Sequence, residues 1–166
     1  MTRLFYVPGE QRWQDEALAF WARHAALNEA DARQRAPQLA AIALDDAGKL
    51  QAVATLAPAL ITELQQYLLL FRCFVAPAMR RQGIARELLS FSWHETAARI
   101  HEPATYRFAG IAASVPAELA KQTSPDLVWK HSLFFLARKN GDGSQLRLRY
   151  FENVHIQVPA TVGARP

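Results

Sequence analysis

The loop that combines a glycine with arginines carries the clearest chemical signal in the sequence. An apolar run from Tyr67 to Val75 leads into this loop, which contains Arg80, Arg81 and Gly83. Apolar residues at helical spacing follow, so the loop joins a strand to the start of a helix. The first N–H groups of a helix lack partners within the helix and lie at the positive end of its dipole. Because a glycine lets an anion approach the main chain, the loop predicts a site for phosphate or pyrophosphate.

Two common phosphate-binding loops are excluded by spacing. The nucleotide-triphosphate loop needs two glycines and then Lys and Ser or Thr, whereas Ile84 follows Gly83 directly. The dinucleotide fingerprint needs three glycines after a strand, and Leu146 stands where Gly141 and Gly143 would need the third. An ordinary solvated loop is the alternative, with Gly83 permitting a turn and the arginines facing water. The lack of a Ser, Thr, Asp or Asn cap near Gly83 favours a ligand that supplies acceptors.

The pattern Arg80-x-x-Gly83-x-Ala85 resembles the acyl-coenzyme A loop of the GNAT N-acetyltransferase superfamily. In that family the pattern is Gln/Arg-x-x-Gly-x-Gly/Ala, commonly preceded by Val-x-Pro, and Val75-Ala76-Pro77 supplies this part at matching spacing. The resemblance implies an α/β (α+β) fold, with a central mixed, mostly antiparallel sheet of 6–7 strands flanked by helices. It also implies acetyl-coenzyme A as cosubstrate and no metal.

The resemblance further implies how the cosubstrate is held. The loop residues that would contact the cofactor are Arg80, Arg81, Gln82, Gly83, Ile84 and Ala85. Free backbone groups on the strand before the loop would belong to Cys73, Phe74 and Val75, and would pair with the pantetheine arm like an extra strand. The N–H near Cys73 would donate to the thioester oxygen. We expect the thiol of Cys73 to be an apolar filler and not a nucleophile.

The acid and base that many relatives carry have no clear counterpart. Glu63, upstream of the strand, is the best-placed candidate base, and its alternative role is that of a solvated turn residue. The Asn-x-x-Ala-x-x-x-Tyr pattern of the family is absent. Possible substitutes for its tyrosine are Tyr150, Tyr106, Ser114, Ser124 and Ser132.

Composition indicates one domain over 1–158 and a flexible tail over 159–166. No apolar run reaches a membrane span, and the lone Cys73 favours the cytoplasm. Scattered basic residues predict no nucleic-acid partner. His94-Glu95 begins like a zinc-protease helix, but Ala98 replaces the second histidine. The protein is expected to be a monomer or a homodimer.

Periodicity and turn residues predict the remaining elements. Strands are expected over 3–7, 38–44, 49–56, 66–75, 105–114, 130–139 and 145–158. Helices are expected over 10–35, either as one helix or as two with a joint near Asn28, over 83–100 and over 115–122. Hairpins are predicted at Asp45-Asp46-Ala47-Gly48 and at Asn140-Gly141-Asp142-Gly143.

Three functions are compatible with these patterns. The first is an N-acetyltransferase that transfers the acetyl group of acetyl-coenzyme A directly to the primary amine of a small-molecule or peptide acceptor. The second is a catalytically inactive acyl-coenzyme A-binding module, such as a sensor or assembly subunit. The third is a structural domain without a cofactor. The missing acid and base favour the second function, whereas the intact loop supports both cofactor-binding functions.

Overall fold

Seven strands form one mixed sheet in the computed structural model, which describes residues 2–101, 107–123, 125–152 and 154. The strands are β1 (Arg3–Tyr6), β2 (Leu39–Leu44), β3 (Leu50–Ile61), β4 (Gln66–Val75), β5 (Gly110–Val115), β6 (Phe135–Lys139) and β7 (Gln145–Tyr150). Their order is β1-β2-β3-β4-β5-β7-β6. Only β4 and β5 are parallel neighbours among these strands. The predicted mixed, mostly antiparallel sheet is confirmed.

Four α-helices flank the sheet in the described part of the chain. They are α1 (Gln11–Arg23), α2 (Glu29–Arg35), α3 (Ile84–Ala97) and α4 (Ala117–Ala120), and single 3₁₀ turns lie at Ala36–Gln38 and Pro77–Met79. Of the two alternatives for residues 10–35, the pair of helices with a joint near Asn28 is confirmed. Asn28 caps α2, because its side-chain oxygen accepts the N–H of Asp31 at 2.8 Å. None of these helices is long and apolar enough to cross a bilayer.

Both faces of the sheet are covered, as the run from Tyr67 to Phe71 of β4, which has no polar alternation, predicts. On one face α3 packs Leu88 and Trp93 against a cluster that includes Phe71 and Ile111. On the other face α1 and α2 bury Phe20 and other side chains against β2 and β3. The positions of β4 therefore alternate between the α3 face and the face of α1 and α2.

The structure corrects several predicted strand boundaries. Pro58 does not end β3, which continues to Ile61. Pro58 pairs with Leu69 beyond the last β2 pair at Leu39, so its missing N–H costs no hydrogen bond of the sheet. The strand predicted from 130 begins only at Phe135, because the preceding residues form a turn in which Leu133 has a φ of 59°.

The two predicted hairpins are confirmed, whereas two further strand boundaries are corrected. Gly48 and Gly143 have positive φ in the two predicted hairpins. Strand β5 begins at Gly110, so the predicted strand is wrong over the described residues 107–109, and Thr105 of its predicted start lies outside the described residues. The last strand ends at Tyr150, so its predicted extension is wrong at the described residues 151, 152 and 154, and the rest of it lies outside the described residues, as does the predicted tail 159–166.

Candidate functional site

The two parallel strands at the centre of the sheet separate towards their carboxyl ends. Leu69–Phe71 pair with Ile111–Ala113, and no described pair joins β4 to β5 beyond this point. On its other side β4 stays paired with β3 as far as Val75. The last residues of β4 therefore have one free edge that faces the end of β5.

Two hydrogen bonds establish which backbone groups face the free edge. The N–H of Ala109, just before β5, donates to the carbonyl of Tyr67 at 2.9 Å, and the N–H of Ala76 donates to Gln51, just inside β3, at 2.9 Å. Successive residues of a strand direct their backbone groups to opposite edges. Cys73 and Val75 therefore present their N–H groups to the free edge. Phe74 faces β3 instead, so its predicted role as a free backbone group is wrong.

The loop before α3 has a backbone that can surround an anion. Arg81 and Gly83 have φ of 64° and 84°, and Gly83 occupies the N-cap of α3. The carbonyl of Gly83 accepts the N–H groups of Arg86 and Glu87, each at 3.0 Å. No described group accepts the N–H groups of 81–83, and those of 84 and 85 lie in the first helical turn. Five successive amides are thus available, which fits a diphosphate.

Two side chains of the loop donate hydrogen bonds to nearby backbone carbonyls, and two others are exposed cations. Arg80 donates from Nε to the carbonyl of Val75 at 3.2 Å and lies over the ring of Phe74, 5.6 Å from its centroid. Gln82 donates to the carbonyl of Ala78 at 3.4 Å. Arg81 is exposed, with no partner among the described residues. Arg86 is also exposed, and a Cβ at Gly83 would lie 3.3 Å from its Nη2. Arg86 is a cation that the motif did not identify.

Cys73 is exposed, so the expectation that it is an apolar filler is wrong. Its register partner is Ala54, which places its side chain on the α3 face. Solvent reaches the thiol, and yet protein atoms surround it closely enough that desolvation raises its pKa to about 11. Near neutral pH the thiol is therefore protonated, and it lacks the thiolate that a cysteine nucleophile needs.

Glu63 and Tyr150 lie away from the free edge. Glu63, in the turn between β3 and β4, forms an exposed ion pair with Arg138 of β6. Glu63 precedes Gln66, the first residue of β4. Because a strand extends about 3.3 Å per residue, Gln66 itself lies about 23 Å from Cys73. Tyr150 pairs with Gly110 at the opposite end of β5 from the cleft. Burial raises the pKa of Tyr150. The structure therefore does not bring either candidate to the cleft.

The other proposed hydroxyl groups differ in position. Ser114 is exposed one residue beyond the last pair of β5 with β4, at the mouth of the cleft. Ser132 is buried, and its carbonyl accepts a hydrogen bond from Arg149 at 3.0 Å. Tyr106 and Ser124 lie outside the described residues. Ser114 is thus the one candidate hydroxyl that the described structure brings to the free edge.

A cavity of about 200 Å³ opens beside the same end of β4. It is lined by Trp21, Ala26, Leu27, Arg35, Val53, Thr55, Arg72, Cys73 and Phe74. Its charged residues are the two arginines, and no carboxylate or imidazole is among these lining residues. Trp21 is buried in the core and also forms part of the cavity wall. Because Cys73 lines the cavity and faces the free edge, the cavity and the cleft meet at this residue.

The described residues contain no cluster of three or more His, Cys, Asp or Glu side chains that could hold a metal ion. The arrangement instead combines free amides, cations and an apolar cavity. Such a site can hold an anionic cofactor by its main chain and a second molecule by side chains.

Comparison with known proteins identifies the fold. No family model matches the sequence, and no curated protein matches it. A phosphinothricin acetyltransferase of the GNAT superfamily from Sinorhizobium meliloti, in complex with acetyl-coenzyme A, has a similar structure. Its TM-score is 0.62 at 15% identity, over 97% of this chain and 94% of that chain. The GNAT N-acetyltransferase YhbS from Escherichia coli, in complex with coenzyme A, has a TM-score of 0.53 at 18% identity, over 91% of this chain and 81% of that chain.

The chain therefore has the fold of the GNAT N-acetyltransferases, as the loop motif predicted. A third similar structure, a KacTA–DNA complex, has a TM-score of 0.56 at 12% identity, over 91% of this chain and 94% of that chain. Because that neighbouring structure is a complex with DNA, the comparisons do not support the expectation that nucleic acid is not a partner.

Proposed function

We propose that this protein is an N-acetyltransferase that transfers an acetyl group from acetyl-coenzyme A to a primary amine. The observation that carries the proposal is the free edge of β4 at Cys73 and Val75, continuous with the five available amides of 81–85. Structures of the same fold in complex with acetyl-coenzyme A or coenzyme A support it. A lone thiol without a partner also fits our proposal of a cytoplasmic location.

The residues of this chain would hold the two substrates separately. The amides of 81–85 would bind the diphosphate, and the charges of Arg81 and Arg86 would strengthen that contact. The N–H of Val75 would pair with the pantetheine arm as a neighbouring strand does. The N–H of Cys73 would donate to the thioester carbonyl oxygen, where negative charge develops. Losing a donor of this kind typically costs about 3 kcal/mol of barrier.

Acetyl-coenzyme A would supply an activated acetyl group, and the cavity beside the end of β4 would present the amine of the acceptor to it. A carbon–nitrogen bond forms as the carbon–sulfur bond breaks, coenzyme A leaves as the thiolate, and the amine nitrogen loses one proton. Because the cavity lining has no carboxylate or imidazole, we propose that this proton passes to solvent. Holding the two reactants together then supplies much of the rate.

A catalytically inactive acyl-coenzyme A-binding module is the second candidate. It is favoured by the positions of Glu63 and Tyr150, since neither candidate acid–base group reaches the cleft. This module would use the same amides and the same strand edge. The two functions differ only in turnover.

Two measurements on the purified protein test these functions. Acetyl-coenzyme A at about 100 times its Kd should stabilise the fold by about 2.7 kcal/mol in a thermal-shift titration. Chromatographic detection of coenzyme A and acetylated product, with a panel of primary amines, then distinguishes enzyme from binder. Stabilisation without product for any amine would support the module. No stabilisation by acetyl-coenzyme A or coenzyme A would contradict both functions.

A further inference from the structure

Arg72 occupies an unusual position for a charged residue. It is the one charged side chain of β4, and it lies half-buried next to the point where β4 and β5 separate. Its register partner on β3 is Thr55, which is buried, and both line the cavity. The guanidinium of Arg72 therefore lies in the cavity wall, where it can bind a small molecule that enters the cavity.

Arg35 reaches the same cavity from the last position of α2. Burial lowers the pKa of Arg72, and the positive charge of Arg35 lowers it further, so the two guanidinium groups are close enough to repel. Neither arginine has a hydrogen bond or an ion pair with another described residue. The neighbouring Arg33, by contrast, is exposed and paired with Glu29 at 2.6 Å.

Two like charges in one cavity without a counter-ion cost stability in the free protein, and a bound anion removes that cost. Guanidinium groups bind carboxylate and phosphate oxygens in a bidentate manner, which fixes orientation as well as charge. The rest of the wall is apolar, mainly Trp21, Leu27 and Phe74, and suits a short hydrocarbon stem. The volume is below the usual range for drug-sized ligands, so the occupant is small.

We propose that this cavity selects acceptors that carry a carboxylate as well as the primary amine, with Arg35 and Arg72 binding the carboxylate. The inference rests on the proposed function and specifies its substrate class. With the carboxylate at the arginines, the other end of a small molecule points towards Cys73, where the cavity meets the cleft. The acceptor is therefore an amino acid-like molecule, and not an amine that lacks a carboxylate, such as a polyamine.

Pairs of acceptors that differ only in the carboxylate test this proposal in the intact 166-residue chain. A panel of free amino acids is compared with the corresponding amino acid amides, which differ only in the carboxylate, and with peptides that carry a carboxylate on a longer chain. We expect the preferred free amino acid to exceed its amide by about 30-fold in kcat/KM, as expected for a lost charged hydrogen bond. The longer peptides should be poorer substrates than the free amino acid.

Two variants connect this preference to the arginines. Arg72→Gln and Arg35→Gln should each reduce the preference for carboxylate over amide to within about 3-fold, mainly through KM for the acid. The KM for acetyl-coenzyme A should not change. Arg33→Gln, on the same helix but exposed, is the matched control and should keep the preference. Equal use of acid and amide by the unmodified protein, or a preference that both variants retain, would overturn the proposal.

A binding measurement separates this proposal from the proposed function. N-acetylated amino acids and their amides are titrated calorimetrically into the protein saturated with coenzyme A. Binding of the acid, but not the amide, with loss in Arg72→Gln, would support the anion site even if no amine were acetylated. Turnover of amines without any preference for the carboxylate would leave the acetyltransferase function intact and reject the substrate class.

Discussion

The two halves of the candidate site are built from different parts of the chain. The cofactor half consists of main-chain N–H groups in one continuous segment, from the end of β4 through the loop at 80–85. The acceptor half consists of side chains that α1, α2, β3 and β4 bring together around one cavity. Backbone groups need only a conformation, whereas a side-chain cavity needs several elements in register. The first half therefore depends on one short segment, and the second depends on how the fold brings distant segments together.

The largest expected effect comes from a substitution of Gly83 in the cofactor half. Gly83→Trp should weaken coenzyme A binding at least about 100-fold in calorimetry, because the side chain would cover the free amides. Gly48→Trp is the matched control, since Gly48 also has a positive φ, 77° against 84°, and open space around it. Both variants should lose about 1–3 kcal/mol of stability from the strained backbone. Equal coenzyme A binding by both variants would contradict the placement of the diphosphate.

Cys73 lies where the two halves meet, and it provides a probe as the one cysteine of the chain. Its pKa of about 11 predicts slow alkylation by iodoacetamide at pH 7, with a rate that rises about tenfold per pH unit until the pKa is approached. Saturating acetyl-coenzyme A, which has no free thiol, should reduce this rate by about tenfold or more. Mass spectrometry measures the labelled fraction. Fast labelling at pH 7 that acetyl-coenzyme A leaves unchanged would place the cosubstrate away from β4.

The smallest effects are expected outside both halves. Glu63→Gln and Tyr150→Phe should change kcat and both KM values by less than about 2-fold, because neither residue reaches the cleft. Loss of the exposed Glu63–Arg138 pair should change the free energy of unfolding by less than about 1 kcal/mol. A fall in kcat of about 100-fold in either variant, with the thermal midpoint unchanged, would show that the substituted residue is an acid–base group of the reaction.

The difference between the halves also explains what the sequence could predict. Gly83, the arginines and Val75-Ala76-Pro77 lie within one short segment, so their spacing alone indicated the phosphate loop and the fold. The run from Tyr67 to Phe71, which has no polar alternation, likewise predicted a central strand covered on both faces. These features depend on local sequence, and the structure confirms the fold that they indicated.

Features that depend on pairing between distant segments were not predictable in this way. Arg35 and Arg72 are 37 positions apart (72 − 35), and only the fold shows that they share a cavity. The strand register determines that Cys73 and Val75, and not Phe74, face the free edge. Glu63 was proposed for its nearness in sequence, whereas the length of β4 separates it from the cleft.

Amide hydrogen exchange, resolved by residue in NMR spectra, tests the central claim most directly. Saturation with coenzyme A should protect the amides of 81–85 together with those of Cys73 and Val75. The amide of Phe74 should change little, because its backbone already faces β3. Unchanged exchange at these amides, with coenzyme A shown to be bound, would contradict the account of how this chain holds its cosubstrate.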